Sequence, residues 1–442
     1  MPSRNAGMTS KITARIRGAR GDSSTEIRRD FAWGFVAQAF SSATNFGLVL
    51  IAGRLLGPEG LGLVAIGLGS YQLLVGLQRA FVAQPIVAFS APLPAANRRE
   101  LAEAGLTIVV FSGAAATIIL VVAGIVVDGN LGRALLIVAP WVAVAALQEY
   151  WKAILFQERS GRAGAASDCV RLVVLCIAAA AAVNLDEDYA IVGAWGLAAT
   201  AGLAVAVTAL PLRPKAIRQS VDLWWEHVSS LGLWLGAREV AYLTMTYATI
   251  VGLALIMGTS DLGGLRSAEA LFSPWSLIAA ALVLPALPAL SRAAARSHHE
   301  ATRLAVKISL GATGLGLAYF LVMVAIGPWL LTLLFGSEFS SYDDLVWPMG
   351  VTQVSYAATY SFNLLLPAEK RGAAFFAAGV VWAAATLACA TGFALVWGVT
   401  GAAWGMATGA AIGSVFVVWL SLRRPGHGSP QSAVSTGAAR ED

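Results

Sequence analysis

RLLGPEGLGLVAIGLGSYQLL, residues Arg54–Leu74, returns 201 residues later as LIMGTSDLGGLRSAEALFSPW, residues Leu255–Trp275. In that register Gly57 falls on Gly258, Leu61 on Leu262, Gly62 on Gly263, Tyr71 on Phe272 and Ser90 on Ser291. Each copy occupies the turn between two long apolar runs, so the chain reads as two similar halves joined in tandem.

The rest of the composition says where those halves reside. The chain is 57% hydrophobic and 12% charged, with a mean hydropathy of +0.71, against about 25% charged residues in a soluble domain. That balance excludes a soluble globular protein. A spanning helix needs roughly 20 mostly apolar residues. Twelve such runs centre near residues 42, 72, 114, 145, 175, 200, 244, 277, 316, 355, 384 and 410. The expected fold is an all-α polytopic membrane protein of about twelve transmembrane helices in two six-helix lobes. An even number of crossings per half gives both lobes one orientation, so a pseudo-twofold axis along the membrane normal is expected. The boundaries read as a basic N-terminal segment (1–30), a first lobe (31–211), an interfacial connector (212–230), a second lobe (231–421) and a disordered tail (422–442). Duplicated halves around a midplane site favour moving a substrate over converting one.

Loop charges set the expected orientation. With a cytoplasmic N-terminus, most of the 30 Lys and Arg fall on the inside, among them Arg98, Arg99, Arg159, Arg162, Arg213, Lys215, Lys370 and Arg371. The opposite loops read DGN, LDEDY and GSEFSSYDD. This asymmetry predicts a multi-pass cell-membrane protein with both termini cytoplasmic. The net charge of +5 follows from that topology, and no nucleic-acid partner is expected. The apolar run after Arg28 and Arg29 continues for about 23 residues, beyond the 7–15 of a signal-peptide core, so the first helix is expected to remain as an anchor. The segment before it is polar enough to predict disorder. Trp224 and Trp225 of the connector predict headgroup anchors. His298 and His299 are adjacent, which rules out the i, i+4 zinc pair and predicts a solvated loop. Cys169, Cys176 and Cys389 lack a metal or disulfide spacing and read as buried thiols.

Charged residues inside spans cost a few kcal/mol and usually face a cavity or a partner. Seven are read as intrahelical. Glu149 with Lys152, and Arg266 with Glu269, are three apart and share a helical face, so each two can neutralise one another. Arg238 and Glu239 are neighbours and point about 100° apart. Arg79, in GLQRAFVAQP, has no acid within a turn, and its planar fork suits a phosphate group. Gln38, Ser41, Ser42, Thr44 and Asn45 give the first helix a polar stretch, and Gln84 adds to Arg79's surroundings. Pro85 and Pro285, with Pro274, mark candidate breaks in corresponding helices of the halves. Glu149, Glu239 and Glu269 are the intrahelical acids available for ion coupling. No phosphate-binding loop, dinucleotide fingerprint or metalloprotease motif is present, so no cofactor, metal or enzymatic activity is expected.

RLLGPEGLG after helix 1, GLQRAFVAQP in helix 2 and LLFGSEFSSYDDL after helix 9 resemble the polysaccharide and O-antigen flippase family. That family belongs to the multidrug, oligosaccharidyl-lipid and polysaccharide (MOP) exporter superfamily. The resemblance runs over nearly the whole chain and implies two lobes around a cavity formed largely by helices 1, 2, 7 and 8. It implies a polyprenyl-pyrophosphate-linked oligosaccharide as substrate, moved to the outer leaflet for polysaccharide export. It also implies membrane lipids and a polymerase or glycosyltransferases of the same pathway as partners. Such flippases present cationic side chains to the pyrophosphate, and Arg54, Arg79, Arg238 and Arg266 are the positions able to do so. The two further helices of the lipid II branch are not present, which makes that branch the less expected one. A cation-coupled drug antiporter of the same fold would want unpaired acids, whereas the isolated charge here is basic. A membrane glycosyltransferase or polymerase would want a large outer catalytic loop; Asp343 and Asp344 lie in a short one.

Overall fold

In the computed structural model, residues 5–90, 93–182, 188–369 and 371–423 are described, and among them helix is the only regular structure. Among the described residues, eight helices are long and apolar enough to cross a membrane. The chain divides into two compact units, one ending at Leu243 and one beginning at Thr244.

The first unit opens with α1 (Asn5–Gln78), a π-helical turn (Arg79–Ala83) and α2 (Gln84–Ser90). The backbone of α1 is helical from Asn5. The apolar stretch Ala32–Ser90 holds 59 residues. At 1.5 Å per residue a straight helix of that length would run about 88 Å, nearly three times a hydrocarbon core of about 30 Å. It breaks at Gly57 (φ 67°, ψ −169°). Positive φ is open to glycine and costly for other residues, and Pro58 then starts the next helical stretch with its preset φ. The unit continues with α3 (Ala95–Val126), α4 (Gly129–Gln157), α5 (Gly161–Ala182), α6 (Asp188–Ala209), α7 (Ile217–His227) and the first part of α8 (Ser229–Ala270). Helix α5 packs on α6 and α1, and α3 on α4. Ile86, Leu106, Tyr150, Ile154 and Leu155 form a dry core among them.

The connector is held by protein. Arg99 donates to the Pro211 carbonyl at 2.7 Å, Trp151 to that of Leu210 at 2.8 Å, and the Lys215 amide to Thr107 Oγ1 at 2.8 Å. Trp224 is not a headgroup anchor: its Nε1 donates to the Phe81 carbonyl at 2.9 Å. Pro85 has no N–H to offer the carbonyl four residues before it, which is that of Phe81, so the indole satisfies an acceptor that proline orphans. Trp225 is 63% exposed.

In the second unit α8 breaks at Gly258 (φ 87°, ψ 171°), the position that the internal echo aligns with Gly57. There follow α9 (Ser273–Arg296), α10 (His298–Phe335), a 3-10 segment (Ser337–Leu345), α11 (Val346–Ala368) and α12 (Gly372–Leu422). The 51 residues of α12 are again too many for one crossing and break at Trp397 and Gly398 (φ 59°, ψ −140°). A Cβ on Gly405 would lie 2.6 Å from Ala390 Cα, one on Gly409 2.4 Å from Thr386 Cα, and one on Gly413 2.6 Å from the Trp382 ring. One index climbs by four as the other falls by four, so the two parts of α12 fold back antiparallel along a glycine stripe. With α1 and α12 each counted as two stretches and the part of α8 beyond Gly258 taken together with α9, the described helices are consistent with twelve crossings. His298 is not in a solvated loop: its Nδ1 lies 2.6 Å from Glu369 Oε1, and the other oxygen of that carboxylate, Oε2, meets Arg371 at 3.3 Å. Of the three thiols Cys176 is exposed and the other two are half-buried. The tail beyond Arg423 lies outside the described residues.

Candidate functional site

Two helices of the first unit carry acid and base three residues apart: Glu149 and Lys152 on α4, Asp168 and Arg171 on α5. The antiparallel helices interleave them. Lys152 Nζ lies 3.0 Å from Glu149 Oε1 and 3.4 Å from Asp168 Oδ2, and Arg171 reaches Glu149 Oε1 at 3.4 Å. Gln148 ties the ring together. Its amide donates to Asp168 Oδ1 at 3.2 Å and its carbonyl accepts from Arg171 at 3.3 Å. Ser167 donates onward to the Gly202 carbonyl of α6 at 2.8 Å. Arg171 is 2% exposed and lies 5.9 Å from the centre of the Trp195 ring. Two acids and two bases cancel, which is how buried charges are tolerated in a span.

This ring backs a cavity of about 370 Å³ whose wall includes Gly34, Gln38, Gln78, Arg79, Glu149 and Lys152. Arg79 opens the π-helical turn. Such turns insert one residue into a helix and are common at functional sites; here the turn sits directly ahead of Pro85. Arg79 is exposed to the cavity and makes no hydrogen bond or ion pair among the described residues. The wall thus carries two cations, Arg79 and Lys152, and one carboxylate, Glu149, while Asp168 and Arg171 behind it cancel. The site holds a surplus of one positive charge.

The other sequence candidates are dispersed. Gln38 lines the cavity and bonds Ser42 at 3.2 Å. Gln84 and Asn45 are exposed and outside its lining. Arg54 is exposed three residues before the Gly57 break, about 24 Å along the helix from Gln38 at 1.5 Å per residue. In the second unit Arg266 pairs with Glu269 at 2.6 Å. Glu239 is half-buried and partnered, whereas the side chain of Arg238 lies outside the described set. Pro85 is buried beside the π turn. Pro274 lies in the first turn of α9, where proline is readily accommodated, and the backbone stays helical through Pro285.

Asp168 and Arg171 were not among the seven intrahelical charges legible in the sequence. They follow the polar stretch ERSGRAGAAS closely enough to read as the margin of a basic loop. The signal that finds them is their i, i+3 spacing, the mirror of Glu149 and Lys152.

The sequence matches no family model and no curated protein. Its fold, however, is similar to solved structures. A multidrug resistance MATE family transporter of the MOP superfamily, in an inward-facing conformation, superposes with a TM-score of 0.72 at 14% identity, over 90% of this chain and 96% of that one. The lipid II flippase MurJ gives 0.63 at 11% identity, over 89% and 88%. A MOP superfamily transporter from Pyrococcus furiosus, described as having a binding pocket of reverse polarity, gives 0.62 at 12% identity, over 90% and 94%. All three are transporters rather than enzymes. Taken with the all-helical architecture, these likenesses give the chain the fold seen in MOP-superfamily transporters.

Proposed function

We propose that this protein flips a polyprenyl-pyrophosphate-linked oligosaccharide from the inner to the outer leaflet by alternating access, serving cell-surface polysaccharide export. The observation that carries the reading is Arg79, a guanidinium with no hydrogen bond or close ion pair among the described residues, in a cavity whose other charges are matched. An anionic head group supplies the missing partner, and the planar fork meets a phosphate with two parallel hydrogen bonds. The lipid chain can remain in hydrocarbon while only the polar head crosses, so the protein mainly offsets the desolvation of that head. Release requires that the outward-open state hold the head more weakly, because a ligand shifts states only through differential affinity. Glu149, which borders the cavity and joins the ring, is the best placed of the acids to couple this step to an ion.

The test is translocation of a fluorescent polyprenyl-pyrophosphate oligosaccharide in proteoliposomes, with wild type and Arg79→Ala at matched protein content. Hydrogen bonds to charged groups contribute about 1.5–3 kcal/mol each, so Arg79→Ala is expected to slow flipping by about ten- to a hundredfold at limiting substrate. Undiminished flipping in the variant removes Arg79 from the site. An inactive wild type that extrudes cationic dyes against a proton or sodium gradient replaces the reading with a drug antiporter.

A further inference from the structure

A second pocket, of about 380 Å³, adjoins the cationic cavity and shares Val75, Gln78 and Ala146 with it. Its chemistry is the opposite. The wall is drawn from Leu74, Leu77, Phe81, Val82, Ile108, Ile119 and small residues of α3. Its polar side chains, Gln78 and Ser112, are already engaged: Gln78 Nε2 donates to the Val109 carbonyl and to Ser112 Oγ, both at 2.9 Å. Apart from the Gln78 Oε1 acceptor, the side chains of the wall offer no free polar group, and a cavity lined this way favours hydrocarbon over water. The space exists because α3 presents Ser112, Gly113, Ala115 and Ala116 where larger side chains would fill it. Ile119 on its rim is 59% exposed, and Phe111 and Ile118 on the same helix are 55% and 63% exposed. The pocket therefore opens sideways onto an apolar helix face.

We propose that this slot seats the first isoprene units of the substrate's hydrocarbon chain while the pyrophosphate lies on Arg79, Gln78 forming the partition between the two chambers. This deepens the functional reading above and rests on it. The argument is continuity: a cation-bearing chamber and an apolar chamber share one wall, which is the pattern an anion on a hydrocarbon chain requires. A free sugar phosphate would leave the slot empty, and a cationic dye would meet the surplus positive charge next door.

The experiment uses the full-length protein in nanodiscs and a polyprenyl pyrophosphate bearing a diazirine on its third isoprene unit. The expected result is photolabelling of Ala115, Ala116 or Ile119, competed by unlabelled polyprenyl pyrophosphate and not by excess phospholipid. Ala115→Trp, which fills the slot, should weaken binding of the probe about tenfold, the loss expected for excluding about two methylenes. Ile125→Trp, on the 69% exposed outer part of the same helix, should leave it unchanged. Binding of soluble inorganic pyrophosphate, sensitive to Arg79→Ala, reports the head-group chamber separately. Pyrophosphate binding with labelling outside the slot, or labelling matched by a diazirine phospholipid, overturns the tail site and spares the flippase reading. Loss of both pyrophosphate binding and slot labelling overturns both.

Discussion

Arg79 and Arg171 stand on the same half of the chain and should fail in opposite ways. Arg79 is exposed and makes no hydrogen bond or close ion pair among the described residues, so Arg79→Ala is expected to leave stability within about 0.5 kcal/mol while impairing transport. Arg171 is 2% exposed and bridges Gln148 and Glu149. Removing it leaves the ring with two carboxylates and the single cation Lys152, and Arg171→Leu should cost about 3–5 kcal/mol, read as a fall in thermal stability of the detergent-solubilised protein. A third arginine sets a pH dependence. Arg98 grips Glu158 with two bonds, at 2.7 and 3.0 Å, and these hydrogen bonds hold the Glu158 carboxyl below its ordinary value against the opposing effect of desolvation. A depressed folded pKa means that this contribution is complete above the unfolded value of about 4.3 and lost as pH falls through the lower folded one. Wild type should therefore be more thermostable than Glu158→Gln at neutral pH, and the difference should vanish in strong acid. Arg79 was legible in the sequence as an orphan charge because its neighbours within a turn are neutral. The pairing of α4 with α5 was not, since it depends on which faces two helices turn to one another.

Single elements are governed by where a backbone needs space or a donor. Gly409 and Gly392 lie on the two parts of α12, yet a Cβ on the first would meet Thr386 Cα at 2.4 Å and one on the second would meet nothing within 4 Å. Gly409→Ala should force the parts of α12 apart at about 1–3 kcal/mol or more, whereas Gly392→Ala should be neutral or stabilise by up to about 1 kcal/mol through helix propensity. Thermal melts of the two variants test this directly. The link between α7 and the π turn makes a sharper prediction. Trp224→Phe leaves the Phe81 carbonyl without its donor, at about 1–3 kcal/mol. Pro85→Ala restores a backbone N–H, so the double variant should recover much of the loss; additive losses would show that the indole acts by packing alone. Sequence reading took the Trp pair for headgroup anchors because Pro85 and Trp224 are far apart along the chain, and their relation through one carbonyl has no local signature.

Across the whole molecule, the duplicated plan is carried by two glycines. Gly57 and Gly258 were aligned by the internal echo alone, and both adopt positive φ with an extended ψ. A Cβ on Gly258 would meet nothing within 4 Å, so the demand there is conformational. The helical class was legible because hydropathy is a property of the sequence itself. The breaks at Gly57 and Gly258 were marked to the residue by the repeat, whereas the one at Gly398 was legible only as a gap between the apolar runs centred near 384 and 410. The site was legible in part, since a cavity is a property of several helices at once.

The charge ring of α4 and α5 bears on how the chain is made. Ribosomal synthesis delivers α4 to the membrane with Glu149 and Lys152, and only later α5 with Asp168 and Arg171. A charged residue at the centre of a lone helix costs about 2.5–3.5 kcal/mol on insertion scales; each helix offsets part of its cost with its own acid and base three residues apart, and pairing the two helices into the ring offsets more. The two are therefore expected to partition into lipid as a hairpin, with α4 waiting at the lateral gate of the insertion machinery until its partner emerges.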